Sequence, residues 1–136
     1  MRLLFPALAI AAIATSATLA PAATARERLA PEAQLAKLIG DRVAGEPQSC
    51  LPLTNIGSSQ VIDKTAIVYR VGSTLWVNRP RSGAESLDDD DILITKLTGG
   101  QLCSIDVVEL RDRSSQMYSG FVSLGEFVPY RRPKAQ

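Results

Sequence analysis

The 136-residue chain predicts an α+β protein: an N-terminal helix followed by a small antiparallel β-meander or barrel of about five to six strands. Three observations carry this. Apolar residues recur at helical spacing between Pro31 and Val43. From Leu53 on, the period drops to two. Turn signals built from Gly, Ser and Asp punctuate that second stretch at short intervals. The segments expected are a cleaved signal peptide at 1–25, a helix and linker at 26–49, a β-rich domain at 50–130 and a tail at 131–136.

The opening "MRLLFPALAIAAIATSATLAPAATA" has one charge, Arg2, then an apolar run broken by Pro6 and Pro21. Ala23-Thr24-Ala25 fits the small-x-small rule for cleavage before Arg26. This reads as an export signal rather than an anchor, with no membrane span left after cleavage and a periplasmic or secreted destination. In "RERLAPEAQLAKLIGDRVAG", Pro31 suits a first helical turn. Leu35, Leu38, Ile39 and Val43 then share one face, Gly45 and Pro47 stop the helix, and Gly40 threatens to shorten it.

The strands expected are "NIGSSQVID", "TAIVYRV", "TLWVN", "ILITK", "SIDVVELR" and "GFVSLGEFV", the last ended by Pro129. Asp63-Lys64 reads as the first turn and Gly72-Ser73 as a two-residue hairpin. The hairpin sets a register: Val71 faces Thr74, Arg70 faces Leu75, Tyr69 faces Trp76 and Val68 faces Val77. One sheet face then carries Val61, Ala66, Val68, Leu75 and Val77 and should be core. The other carries Tyr69, Trp76, Gln60, Thr74 and Asn78 and should be partly wet or roofed by the helix. "NRPRSGAESLDDDD" and "RDRSSQMY" are polar connections.

Without Arg2 the chain has 14 basic and 14 acidic residues, a balance that disfavours non-specific nucleic-acid binding. Cys50 and Cys103 are the only cysteines. In an oxidising compartment they allow one intramolecular bridge, worth about 4 kcal/mol for a loop this long, with free buried thiols as the alternative.

The ordered set "SCLPLTNI", "VIDKTAIVYR", "LWVNRP", "GGQLCSIDVV" and "LGEFVPY" resembles a family of small exported proteobacterial proteins, the domain-of-unknown-function family numbered 6491. The likeness runs from about Cys50 to Tyr130 and implies no activity, cofactor or catalytic residue. It implies that relatives carry two further cysteines, one near Ala84 and one at Val122, which bridge each other and leave Cys50 with Cys103.

No histidine is present, which removes Ser-His-Asp and Cys-His chemistry and most zinc sites. Asp88, Asp89, Asp90 and Asp91 are the only metal candidates, but they lack the Asp-x-Asp-x-Asp-Gly order of calcium loops and read as a solvated loop. Asp106 and Glu109 fall on opposite faces of a strand, and their relation to Glu126 depends on strand pairing. The candidate binding surface is Tyr69 and Trp76 with Asn78 and Arg79. The expected function is a small exported, non-enzymatic binding or structural module of the cell envelope, without cofactor, its partner an envelope protein or glycan. The alternatives are a carboxylate-based hydrolase and a secreted inhibitor of an extracellular enzyme.

Overall fold

The computed structural model describes residues 27–97 and 99–135; the expected signal peptide lies outside them. One helix, α1 (Pro31–Ile39), is followed by ten short strands: β1 (Val43–Ala44), β2 (Cys50–Pro52), β3 (Ser58–Ile62), β4 (Ala66–Val71), β5 (Thr74–Asn78), β6 (Asp91–Thr95), β7 (Gln101–Cys103), β8 (Val107–Asp112), β9 (Tyr118–Ser123) and β10 (Phe127–Arg131). They form a five-stranded sheet, β1-β10-β5-β4-β3, a three-stranded sheet, β6-β8-β9, and a two-stranded ribbon, β2-β7. Every pairing is antiparallel.

α1 is shorter than its apolar stripe. Pro31 occupies the first turn and Lys37 the last, but Gly40 takes φ 63°, a left-handed conformation that ends the helix. Val43 therefore leaves the helical face and enters the edge strand β1, opposite Arg131 and 61% exposed.

The β4–β5 hairpin has the predicted register at all four pairs. Gly72 at φ 58°, followed by a residue without positive φ, is the turn that suits the twist of a hairpin. The preceding turn differs from expectation. Ile62 pairs with Ala66, so the loop is three residues, with Lys64 at φ 51° and the Thr65 N–H donating to the Ile62 carbonyl. One extra residue shifts β3 by one, and a one-residue slip exchanges the faces of a strand. Val61 thus lies opposite Ile67 on the aromatic face, and Gln60 lies opposite Val68 on the aliphatic one.

The centre of this sheet is buried on both faces: the aliphatic face is core as expected, but it is the one the helix covers, and the aromatic face is buried rather than wet. The aliphatic face (Ile62, Ala66, Val68, Leu75, Val77) is the one that α1 roofs, through Leu35. The aromatic face looks into the main core, where Tyr69, Trp76 and Phe127 meet Val108, Leu110 and Val122 of the three-stranded sheet and Leu51 and Leu102 of the ribbon. Tyr69 and Phe127 pack edge to face, centroids 5.8 Å apart.

Two expected strands are re-cut. Ser104–Asp106 are a turn, held by the Cys103 N–H on the Asp106 carboxylate at 2.7 Å, so that strand begins at Val107. "GFVSLGEFV" divides into β9 and β10 around Leu124–Glu126. Gly125 sits there against the Arg79 carbonyl, where a Cβ would collide. Pro129 does not end β10 but lies within it. Its carbonyl accepts from Gly45 N–H at 2.7 Å, so its missing donor also faces the short β1 side, and its neighbours make the bonds to β5.

Candidate functional site

The disulfide is formed. Cys50 and Cys103 stand directly opposite in the β2–β7 ribbon, Cα atoms 4.0 Å apart. Ser104 N–H donates to the Ser49 carbonyl one step away, which makes the cysteines a closely spaced, non-hydrogen-bonded pair. Neither cysteine is a free thiol, and the pair staples the segment after the helix to the strand entering the second sheet.

The aromatic candidates do not form a surface. Tyr69 and Trp76 are 4% and 6% exposed. The Arg131 guanidinium lies 5.4 Å from the Trp76 ring centroid. Asn78 is fully buried: its amide donates to the Gly125 carbonyl at 2.7 Å and its oxygen accepts from Gly125 N–H at 3.0 Å. It completes a peptide's bonding pattern inside the core, which is how a polar residue occupies an apolar face without penalty. Arg79 alone is exposed, and it is engaged by Glu32 of α1 through two bonds of 2.8 and 3.0 Å. That hydrogen-bonded contact holds the Glu32 carboxyl below its ordinary range and raises Arg79. The Tyr69 hydroxyl is buried with no hydrogen-bond partner among the described residues, and desolvation pushes its phenol well above the ordinary value.

The acidic run is a hydrogen-bonded turn whose first three aspartates stand exposed, as a solvated loop requires, and whose fourth is buried. Asp88 and Asp90 N–H groups donate to Asp91 and Asp88 carboxylates at 2.9 and 3.0 Å. Asp91 is buried, and its second oxygen accepts from Ser119 Oγ at 2.8 Å. Asp89 and Asp90 face Arg28 and Arg113 at 3.2 and 3.3 Å. Among the described residues no group of three or more carboxylate or cysteine ligands converges as a metal site. Asp106 is occupied in its own turn, and Glu109 pairs with Arg111 and Lys96. Glu126 lies exposed in the β9–β10 connection.

What the topology does create is a cleft between two sheets. β3 is an edge of the five-stranded sheet and β6 an edge of the three-stranded one. Lys64 N–H donates to the Leu87 carbonyl at 3.0 Å, tying the two edges at one end. Beyond that tie a cleft of about 380 Å³ opens, lined by Ser59, Gln60 and Val61 from β3, Asp91, Ile92 and Leu93 from β6, and Asp89 and Arg113. Edge strands present unpaired N–H and C=O groups, so main-chain donors and acceptors border this cleft from both sides. Two carboxylates line it, but Asp91 has both oxygens in structural hydrogen bonds and Asp89 faces a guanidinium. Acid–base work on a glycoside requires a less committed pair. No aromatic ring lines the cleft, so it lacks a platform on which a sugar would stack.

The sequence reading set Gln60 beside the aromatic pair and Val61 in the aliphatic core, and gave Ser59 no role. Their position at a cleft edge depends on which strands pair.

The described residues thus form a disulfide-stapled, predominantly antiparallel β domain with a single short α-helix. Comparison with protein-family models, with curated proteins and with solved structures finds no match. No helix among the described residues is long and apolar enough to cross a membrane.

Proposed function

We propose that this protein is an exported, non-enzymatic binding module of the cell envelope, periplasmic or secreted, that takes up an extended polypeptide segment along the β3–β6 cleft. The observation that carries the reading is the pair of unpaired strand edges bordering one cleft. Strand addition to an exposed edge draws affinity from main-chain bonds, with side chains of the cleft setting preference. The Cys50–Cys103 bridge accords with an oxidising compartment. Polypeptide is favoured over glycan because the cleft offers backbone edges and no aromatic ring.

Selection of extended peptides from a random display library tests this. Selected peptides should slow hydrogen exchange at β3 and β6 amides and leave β8 unchanged. Failure to enrich any peptide, or protection confined to other strands, refutes the reading.

The resemblance to the exported family of unknown function is part of the proposal and has its own test. Ser82 and Ser123 form a bridge, and Gly83 lies against the backbone of Phe121 and Val122. Ala84→Cys with Val122→Cys should therefore close a second disulfide, seen as loss of two alkylatable thiols in intact mass. Two free thiols in the folded variant argue against the resemblance.

A further inference from the structure

We propose that the outward face of the three-stranded sheet is a self-complementary surface on which a second copy of this chain docks. The register places two rows of residues across that face. One is Ile94–Glu109–Phe121 and the other is Ile92–Arg111–Tyr118. Each row runs aliphatic, charged, aromatic, and the two central charges are opposite.

The second row exists because of a bulge. Pairing of β8 with β9 shifts between Leu110 and Arg111, so Tyr118 rather than Ser119 lies opposite Arg111. An extra residue re-aims its neighbours. Here it turns Tyr118 outward, 58% exposed, and lets Ser119 reach the buried Asp91 carboxylate at 2.8 Å. Phe121 is 51% exposed and Val107 is 49% exposed on the same sheet. Exposed apolar side chains grouped in this way mark an interaction surface.

The charge order identifies the occupant. A twofold axis running across the strands, midway between the rows, sets Glu109 against Arg111 of the second copy and Arg111 against its Glu109. The same operation sets Phe121 against Tyr118 and Ile94 against Ile92. An isologous interface requires this reciprocity, residue i on j and j on i. An unrelated partner requires no such match within one face. Within one chain Glu109 and Arg111 already lie 3.1 Å apart, so the charges stay paired when the face is free.

Sedimentation equilibrium of the disulfide-bonded protein, from about 1 μM to 1 mM, reads the association. Wild type should move from one chain mass to twice that mass. Glu109→Arg and Arg111→Glu, each alone, put like charges face to face and should weaken association by about tenfold or more. The double exchange, Glu109→Arg with Arg111→Glu, restores the opposite pairs across the axis and within the chain, forfeits only the exposed Lys96 contact of Glu109, and should recover the wild-type constant to within about threefold. Circular dichroism and intact mass on each variant verify that fold and bridge are retained. A wild type that stays monomeric at the highest concentration overturns the proposal. So does a dimer indifferent to the single charge changes, or one that the double exchange fails to restore.

Discussion

The two larger sheets both turn one face to a shared core, and their other faces differ. The outer face of β3-β4-β5-β10 is aliphatic where α1 lies over it, with Leu35 only 2% exposed, and carries exposed Gln60 and Arg70 at its margin. The outer face of β6-β8-β9 carries comparable aliphatics, Ile92 and Ile94, but has Glu109 and Arg111 at its centre and Phe121 and Tyr118 half exposed. No element among the described residues crosses it. The difference shows what cover permits. The patch beneath α1, Ile62, Ala66, Val68, Leu75 and Val77, dispenses with charge. A face open to water keeps charged side chains that are solvated and pair with each other.

Reduction of the disulfide is the most severe test of whether both sheets belong to one core. The ribbon contributes Leu51 and Leu102 to the interior shared by the sheets. Cys50→Ala with Cys103→Ala should lower stability by about 4 kcal/mol in a single cooperative transition. Two separated transitions in denaturant would show that the roofed and bare sheets fold apart. Leu35→Ala comes next. It leaves a cavity under the roof and should cost about 2–5 kcal/mol, measured as a shift in denaturation midpoint. A loss below about 1 kcal/mol would mean that the helix is a loose cover and the two outer faces are more alike than the structure indicates.

Tyr69→Phe probes the core between the sheets. The hydroxyl has no hydrogen-bond partner among the described residues, so its removal should be neutral or stabilise by about 1 kcal/mol. The phenol's pKa is raised by burial. Unfolded chains ionise first, near pH 10, and the folded protein binds more protons between that value and its own higher pKa. Wild type should therefore lose about 1.4 kcal/mol per pH unit above pH 10 from this group, and the Phe variant should lack that slope. Equal alkaline slopes would place Tyr69 in contact with solvent. The smallest effect is expected at the bare face. Phe121→Ser should change the stability of the dilute monomer by no more than about 0.5 kcal/mol, against the loss at Leu35. A loss of several kcal/mol would show that Phe121 is packed within its own chain.

Much of the five-stranded sheet was legible because its signals are local. The Gly72-Ser73 turn determines the register of β4 and β5 whatever lies around them, and Tyr69 meets Trp76 as the alternation requires. Gly40 read only as a threat to the helix, with Gly45 and Pro47 as its stop, but its positive φ ends the helix at Ile39. The Asp63–Thr65 turn was misread because Lys64 adopts a left-handed conformation that a lysine does not advertise, and that single residue reversed the faces of β3. Asn78 marked its face as wet by residue type alone. Its actual partner, the Gly125 peptide, is 47 positions away. The cleft was illegible for the same reason: β3 and β6 become neighbouring edges only when the two sheets assemble.

By itself the sequence determined where the helix begins, the β4–β5 register and, from a count of two cysteines, the one intramolecular pairing open to a bridge. Those depend on backbone preferences and on counting. The tertiary structure alone decided which face each sheet buries, where Asn78 and Asp91 find partners, and which strands remain edges. Burial and edge position are properties of pairs of segments distant in the chain, and alternation along one strand is the same whichever face the rest of the molecule covers.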